Sequence, residues 1–384
     1  MKKIGIVSSF DVRCGNATYS KALVDGIPAG YVSVPIEVPL SLQESHDSIS
    51  IAKVIEKVCA CDAVNIQLEL ALYGPTPAKS AKFLQQIINN AQKISITMHR
   101  VEEKPQDLLK MSYKAQKNGG FKRIIKTFMS ALVYREIFSA YKKIIRFANS
   151  RQATFIVHTY REEERIKKIC PTAKILVHPI VWPLTMQKDT AVINLKEKFA
   201  KDLPIIGLFG FISAYKNFEQ VIRVADVAGF NVLLAGGTHP KAYGYGSPDN
   251  SSSSYKVSDI TFNKLDSCYI YTAPDDDTLY NFMAAVDLVV VPYLETGQSG
   301  SGIASLAVQY GKRVIFSDTC LATELIPFLN KRPFLFDVSS DASLIYAVRD
   351  SLKFNQEREL SFAQHNFKTN IDTYLLSLGI EANS

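Results

Sequence analysis

The stretch from Tyr293 to Asp318, YLETGQSGSGIASLAVQYGKRVIFSD, sets Gly297, Gln298, Ser299, Gly300, Ser301 and Gly302 between an apolar run and a helical pattern that begins near Ile303. Glycines let backbone N–H groups approach a ligand closely, and a helix start adds partial positive charge. An anion, above all a phosphate, is therefore the first chemical candidate. A flexible connector has the same composition, so the stretch alone leaves both readings open. A second candidate lies in GLFGFISAYKNFEQVI, from Gly207 to Ile222. There an apolar run ends at Gly210 and Phe211, and Lys216 stands just before a helical pattern, where a compact positive charge suits a phosphate. A solvated lysine is the alternative, although a cation at a helix start opposes the helix dipole.

His99 closes KISITMH and is followed by Arg100. A histidine at the carboxyl end of a strand is placed for a substrate hydrogen bond or a proton transfer. His158 closes ATFIVH and His178 closes KILVH, so position does not rank the three. Gln67 and Glu69 alternate with apolar residues in VNIQLELALYG. A carboxylate there suits an acceptor hydroxyl or a loop cap, and no second carboxylate completes a glycosidase-type pair. Gly15 and Asn16 follow the first strand directly, where a turn and a ligand contact are both expected, but the dinucleotide fingerprint GxGxxG is absent.

These residues need elements to hold them. Short β-branched runs alternate with helical patterns: KIGIVSS, AVNIQLEL, KISITMH, ATFIVHT and KILVHP, then LPIIGLFGF, NVLLAGG, CYIYT, DLVVVPY and KRVIFSD. Buried strands alternating with helices predict an α/β protein with parallel sheets covered on both faces. The two groups of runs are split around VWPLTMQKDTAVINLKEKFAKD, which predicts two domains, 1–185 and 200–365, with a last helix in 366–384. YGYGSPDNSSSSY, from Tyr243 to Tyr255, is the one low-complexity insertion and reads as a surface loop.

A length of 384 residues fits two domains, and 47% hydrophobic against 21% charged residues describes a globular chain. No apolar stretch reaches the length of a membrane span. MKKIGIVSSFDVR meets Asp11 too early for a signal peptide and reads as a first strand. The six cysteines lack metal spacing and are expected as reduced thiols of a cytoplasmic protein. From Lys110 to Arg146 ten basic residues stand against Glu136 alone, so this segment outweighs the +7 of the whole chain. Within it Phe121, Ile124, Ile125, Phe128 and Leu132 follow helical spacing. Such a helix suits peripheral contact with an anionic membrane through 110–148, or is a solvated face over an ordinary core stripe. No nucleic-acid motif accompanies the charge.

Taken in order, IGIVSSFDVRCGNATYSKAL, AVNIQLELALYG, ISITMHRVEEKP, FIVHTYREEERI, LFGFISAYKNFEQVI, LLAGGTHPKAYG, MAAVDLVVVPY and QSGSGIASLAVQYGKRVIFSD resemble the retaining glycosyltransferases of family 4, and nearly the whole chain is covered. The resemblance implies the GT-B fold, two Rossmann-like domains facing across a cleft, with a nucleoside-diphosphate sugar held mainly by the second. It implies that Lys216 pairs with the diphosphate and that Ser301, Gly302 and Ile303 offer amides to it. Gly15 and Asn16 would lie near the phosphates, with Gly210, Phe211, Glu295, Gln298, Ser299 and Gly300 on the donor side. His99 would touch the transferred sugar, and Arg13, Gln67, Glu69 and Arg100 would face the acceptor, a glycan or lipid-linked hydroxyl at the inner face of the plasma membrane. The final helix, within FAQHNFKTNIDTYLLSLGI, would cross back to the first domain.

No metal or other cofactor is expected, and Asp275 to Asp277 are expected to open a helix. Two departures stand out. GFISAY supplies no arginine before Lys216, and the family's two glutamates, with seven residues between them, fall at Gln298 and Leu306. A non-catalytic GT-B subunit that binds or scaffolds is the rival reading, with an epimerase or phosphorylase on the same architecture behind it.

Overall fold

The computed structural model describes residues 1–11, 15–103, 121–184, 195–237, 267–272, 274–297, 300–353 and 360–381, with the backbone alone over 121–130. Two compact units emerge, one built on Met1–His178 and closed by Lys368–Ser384, the other within Pro179–Phe367.

The first unit holds strands β1 (Lys3–Ser8), β2 (Val32–Glu37), β3 (Ala63–Leu68), β4 (Ile94–Met98), β5 (Thr154–Val157) and β6 (Lys174–Val177) in the parallel order β2-β1-β3-β4-β5-β6. Its helices are α1 (Gly15–Gly26), α2 (Leu40–Glu44), α3 (Ser48–Cys59), α4 (Pro77–Asn90), α5 (Phe121–Ser150) and α6 (Tyr160–Ile169). Side-chain alternation gives β3 two different faces. Val64, Ile66 and Leu68 join a core with Phe83, Leu84, Ile87 and Ile88 of α4 and Tyr141, Ile144 and Ile145 of α5. Each large apolar side chain so enclosed contributes about 1.5–3 kcal/mol, which is what holds the long basic helix α5 on the sheet. The opposite face carries Asn65 and Gln67, and β4 sets Ser95 and Thr97 beside them in register; all four are fully buried.

The second unit holds β7 (Ile205–Phe209), β8 (Asn231–Gly236), β9 (Cys268–Thr272), β10 (Leu288–Val291), β11 (Val314–Ser317) and β12 (Phe334–Phe336), all parallel, in the order β12-β11-β10-β7-β8-β9. The helices are α7 (Phe218–Ala228), α8 (Asp276–Ala285), α9 (Gly302–Tyr310), α10 (Cys320–Leu325) and α11 (Asp341–Lys353). The order of strands reverses between β7 and β10, and loops leaving the carboxyl ends of two such strands form the ligand crevice of doubly wound sheets. α12 (Phe367–Ser377) ends the chain's regular structure, and Ile371, Tyr374 and Leu375 pack it beside Ile4 and Ile6 of β1 in the first unit.

All ten apolar runs of the sequence became strands. Two strands lay outside them, and both are sheet edges: β2 contains Pro35, which an edge tolerates, and β12 has three residues. Asp275 caps α8 by accepting from the Thr278 N–H at 2.8 Å, so the acidic triplet serves a helix start. In α5, Leu132 is 36% exposed, while the side chains of Phe121, Ile124, Ile125 and Phe128 lie outside the described residues; Arg135, Lys143 and Arg146 are exposed beyond a buried Ile144–Ile145 stripe. Among the described residues no helix is long and apolar enough to cross a membrane.

Candidate functional site

In the second unit the chain leaves β7 through Gly210, whose φ of +95° is open to glycine and strained for other residues. A Cβ there would lie 2.7 Å from Lys216 Nζ and 2.9 Å from Ile303 Cγ1, so the bare backbone at Gly210 is the floor on which the lysine and the first turn of α9 meet. The turn Ser213–Asn217 brings the lysine back over it: the Lys216 N–H donates to the Ser213 carbonyl at 3.0 Å, and Asn217 adopts a left-handed conformation before α7. The loop after β10 is tied to this turn by the Leu294 N–H, which donates to the Tyr215 carbonyl at 2.7 Å, and by the edge contact of the Tyr215 and Tyr293 rings. Ser301 then caps α9, its hydroxyl accepting from the Ala304 N–H at 3.3 Å.

Lys216 is the unusual member. It is 5% exposed, with its ammonium 5.6 Å from the Tyr293 ring centre and 5.8 Å from that of Phe218, and among the described residues no carboxylate pairs with it. Burial lowers its pKa to about 7. A buried cation that faces aromatic rings and no carboxylate among the described residues is costly, and an anion brought by a ligand would relieve that cost. Ser301, Gly302 and Ile303 are half-buried at the start of α9, where their amides and the helix dipole favour the same anion. Phe211 and Gly300 are half-buried on the two loops, and Gln298 and Ser299 lie outside the described residues.

Glu295 is held differently from a ligand-seeking carboxylate. One of its oxygens accepts from the Gly297 N–H at 2.6 Å and the other from the Cys320 N–H at 2.7 Å, which pins the loop to the start of α10. Leu306, where the resemblance would put a glutamate, is a buried apolar residue of α9.

In the first unit the centre is His99, half-buried at the end of β4. Its Nε2 lies 2.9 Å from Gln67 Oε1. The Gln67 amide nitrogen donates to Asn65 Oδ1 at 2.6 Å, to Thr97 Oγ1 at 3.3 Å and to the Tyr374 hydroxyl of α12 at 3.3 Å. Gln67 is thus fully buried with both ends of its amide engaged inside the protein, which is not how a residue facing an acceptor would sit. The His99 ring lies 5.3 Å from His158 and meets Tyr19 edge-on at 6.1 Å. His158 donates from Nδ1 to the His178 carbonyl at 3.0 Å, and His178 reaches Thr369 of α12 at 3.0 Å. Burial, and then the neighbouring His158, push the His99 pKa down to about 3; burial pushes that of His158 down to about 4. Both rings are therefore neutral near pH 7.

The other expected residues of this unit divide. Arg100 is paired with Glu102 at 2.7 Å, and Tyr134 donates to the same carboxylate at 2.6 Å. Glu69 is half-buried; burial raises its pKa against the opposing charge of Arg100. Gly15 has open space around its Cβ position, Asn16 donates weakly to Ser8 at 3.4 Å and keeps a buried Oδ1 without a partner, and Arg13 lies outside the described residues. Sequence reasoning missed Asn65, Ser95, Thr97 and Tyr374. The available signal was the polar residue at every second position in both VNIQLE and ISITMH.

The whole chain is similar to solved glycosyltransferase structures. An α,α-trehalose-phosphate synthase (UDP-forming) from Burkholderia xenovorans, in complex with glucose-6-phosphate, matches with a TM-score of 0.62 at 10% identity over 98% of this chain and 100% of that one. The sucrose-phosphate synthase of Thermosynechococcus elongatus gives 0.60 at 15% identity over 99% and 95%. HepE of Anabaena, in complex with UDP-glucose, gives 0.56 at 12% identity over 97% and 95%. At such identities the likeness is one of fold, the two-unit Rossmann-like GT-B architecture. No family profile matches the chain, and no curated protein matches it in sequence.

Proposed function

We propose that the protein is a glycosyltransferase that takes a sugar from a nucleoside diphosphate and delivers it to a hydroxyl of a glycan or lipid-linked acceptor. The observation that carries this reading is the buried Lys216, with no carboxylate paired to it among the described residues, beside the Gly210 turn and the start of α9. Departure of the diphosphate puts negative charge on the phosphate oxygens, and a fixed cation with helix-start amides stabilises that charge as it develops. Support for the donor class comes from HepE, a neighbour solved with UDP-glucose, with UDP and with UDP and glucose.

In the finer reading the enzyme is a retaining hexosyltransferase of the family 4 type, working in cell-surface polysaccharide synthesis without a metal. The leaving phosphate then acts as base for the incoming hydroxyl, since no carboxylate nucleophile is expected. His99 holds a sugar hydroxyl, Glu69 acts at the acceptor, and the basic face of α5 meets anionic lipid at the inner side of the plasma membrane.

One observation favours a second reading, a GT-B subunit that binds without transferring. Glu295 is committed to one loop amide and to the first amide of α10, and Leu306 is apolar, so α9 and its loop offer no free carboxylate to a ribose or sugar among the described residues. Thermal unfolding of the protein and of Lys216→Ala with UDP, GDP, ADP and CMP tests the donor site. A ligand at a hundred times its Kd adds about 2.7 kcal/mol. One nucleotide is expected to raise Tm in the wild type alone, and no response to any of them would overturn the donor reading. Turnover of the sugar nucleotide with acceptor then separates transfer from binding.

A further inference from the structure

The buried polar face of β3 and β4 has a cost that a packing role leaves unexplained. Asn65, Gln67, Ser95 and Thr97 sit fully enclosed in the middle of a parallel sheet, where apolar residues are the rule. Such a set is tolerated only when every group is bonded. Here the bonds form one connected network. The Asn65 amide nitrogen donates to Ser95 Oγ at 2.8 Å and to Thr97 Oγ1 at 3.1 Å, while Asn65 Oδ1 accepts from Gln67 Nε2 at 2.6 Å. The Gln67 amide is thereby oriented, with Oε1 facing His99 Nε2 at 2.9 Å. An amide oxygen only accepts, so His99 carries its proton on Nε2, and Nδ1 is left as an acceptor.

The far side of the network is closed by the C-terminal helix. The Tyr374 hydroxyl takes Gln67 Nε2 at 3.3 Å and Thr97 Oγ1 at 3.1 Å, and Asn370 donates at 2.8 Å to the hydroxyl of buried Tyr19, whose ring meets that of His99 edge-on. Polar side chains of α12 thus complete a network that, among the described residues, comes nearest the surface at His99.

We propose that Gln67 and Tyr374 are positioning residues for His99: they lock its imidazole in the Nε2–H tautomer, so that it accepts a hydrogen bond from a carbohydrate hydroxyl through Nδ1. This rests on the transferase reading for its ligand, but the lock itself is a property of the free protein. It also gives the C-terminal helix a task in the site besides covering β1.

The test is nitrogen NMR of the full chain labelled at histidine, with Gln67→Met and Tyr374→Phe. The expected wild-type His99 signals are those of a single Nε2–H tautomer, and both variants shift them towards the averaged signals of two exchanging tautomers. Tyr374→Phe keeps the volume of the helix contact and guards against a Gln67→Met chain that fails to fold. A wild-type His99 that is already mixed or protonated on Nδ1, or variants with unchanged tautomer signals, would overturn the proposal. UDP-glucose and UDP serve as paired probes. Loss of one neutral hydrogen bond predicts that Gln67→Met binds UDP-glucose about three- to tenfold more weakly while its affinity for UDP is unchanged. Equal effects on both probes would mark Gln67 as merely structural and overturn the ligand role. Failure of the wild type to bind UDP would instead count against the donor reading, with the tautomer signals still deciding this one.

Discussion

The Lys216 ammonium lies 5.6 Å from the centre of the Tyr293 ring, buried, with no counter-charge beside it among the described residues. Its own loop and the loop after β10 enclose it, and the ligand-free protein carries the energetic cost.

Lys216→Met should therefore be more stable than the wild type near neutral pH, by on the order of 1 kcal/mol or more, while losing its response to nucleotides. The sign follows from linkage. With a folded pKa of about 7 against 10.5 ordinarily, the unfolded chain holds this proton between those values and the native chain releases it. Wild-type stability contributed by this group thus rises with pH above 7, and the advantage of the variant is greatest at pH 7 and below. Urea unfolding of both proteins at pH 6.5 and 8.5 measures it, and a variant that loses stability at pH 6.5 would show that the lysine is paired in solution.

The same lysine predicts proton uptake when a nucleoside diphosphate binds. The ligand's negative charge favours the ammonium form, so a group that is partly deprotonated in the free protein becomes protonated in the complex. Above pH 7 the apparent affinity for UDP should fall with rising pH. Calorimetry at pH 8 in buffers of different ionisation enthalpy should report an uptake approaching one proton, which Lys216→Met abolishes together with binding.

Gly210→Ala should damage the second unit's site more than its size suggests. The new methyl group would sit at a positive φ, 2.7 Å from Lys216 Nζ and 2.9 Å from Ile303 Cγ1. A cost of about 1–3 kcal/mol is expected from the backbone alone. Because lysine and helix start both abut this point, nucleotide-induced stabilisation should fall as well, which thermal unfolding with and without UDP checks. Gly229→Ala is a useful comparison: it too has a positive φ, at the end of α7, yet nothing lies within 4 Å of the added carbon, so it should lose stability without losing the response.

These contrasts also mark what sequence could carry. Continuous β-branched runs are legible because a strand buried on both faces has few polar residues, and the ten runs recognised were all strands. β2 escaped because Pro35 and half-exposed neighbours erase the pattern at a sheet edge, and β12 because three residues hold no period. Lys216 and the glycine–serine loop could be picked out one at a time from their place at strand ends. Their meeting over Gly210 depends on the strand order β10-β7-β8, which no local window contains. Gln67 was visible as a polar residue in a strand, but its amide is consumed by Asn65, thirty residues of chain then separate it from Thr97, and Tyr374 reaches it from the far end of the sequence. Sequence adjacency says nothing about such partners, so a residue expected to face a ligand proves to be enclosed.

Acid should unfold the first unit through His99 and His158, with the raised carboxyls of Glu37 and Glu69 opposing them. His99 and His158 keep folded pKa values of about 3 and about 4 against 6.5 ordinarily, so below pH 6.5 the unfolded chain binds two protons that the native chain refuses. Each histidine then removes stability as pH falls, by up to about 1.4 kcal/mol per pH unit down to its folded value. Glu37 acts with the other sign. Burial lifts its carboxyl from 4.5 to about 7, against the lowering effect of the Phe10 N–H that it accepts at 2.7 Å, so the native chain holds a proton between those values that the unfolded chain releases. Between pH 6.5 and 4.5 it offsets part of what the histidines remove, less than one whole histidine because this carboxyl is half-buried and screened by solvent. His99→Gln should therefore flatten the fall in stability over this window, and Glu37→Gln should steepen it. Urea midpoints measured at half-unit steps from pH 7 to 4.5 separate the two variants, and parallel curves for wild type and His99→Gln would mean that His99 takes up its proton in the folded protein as readily as in the unfolded chain.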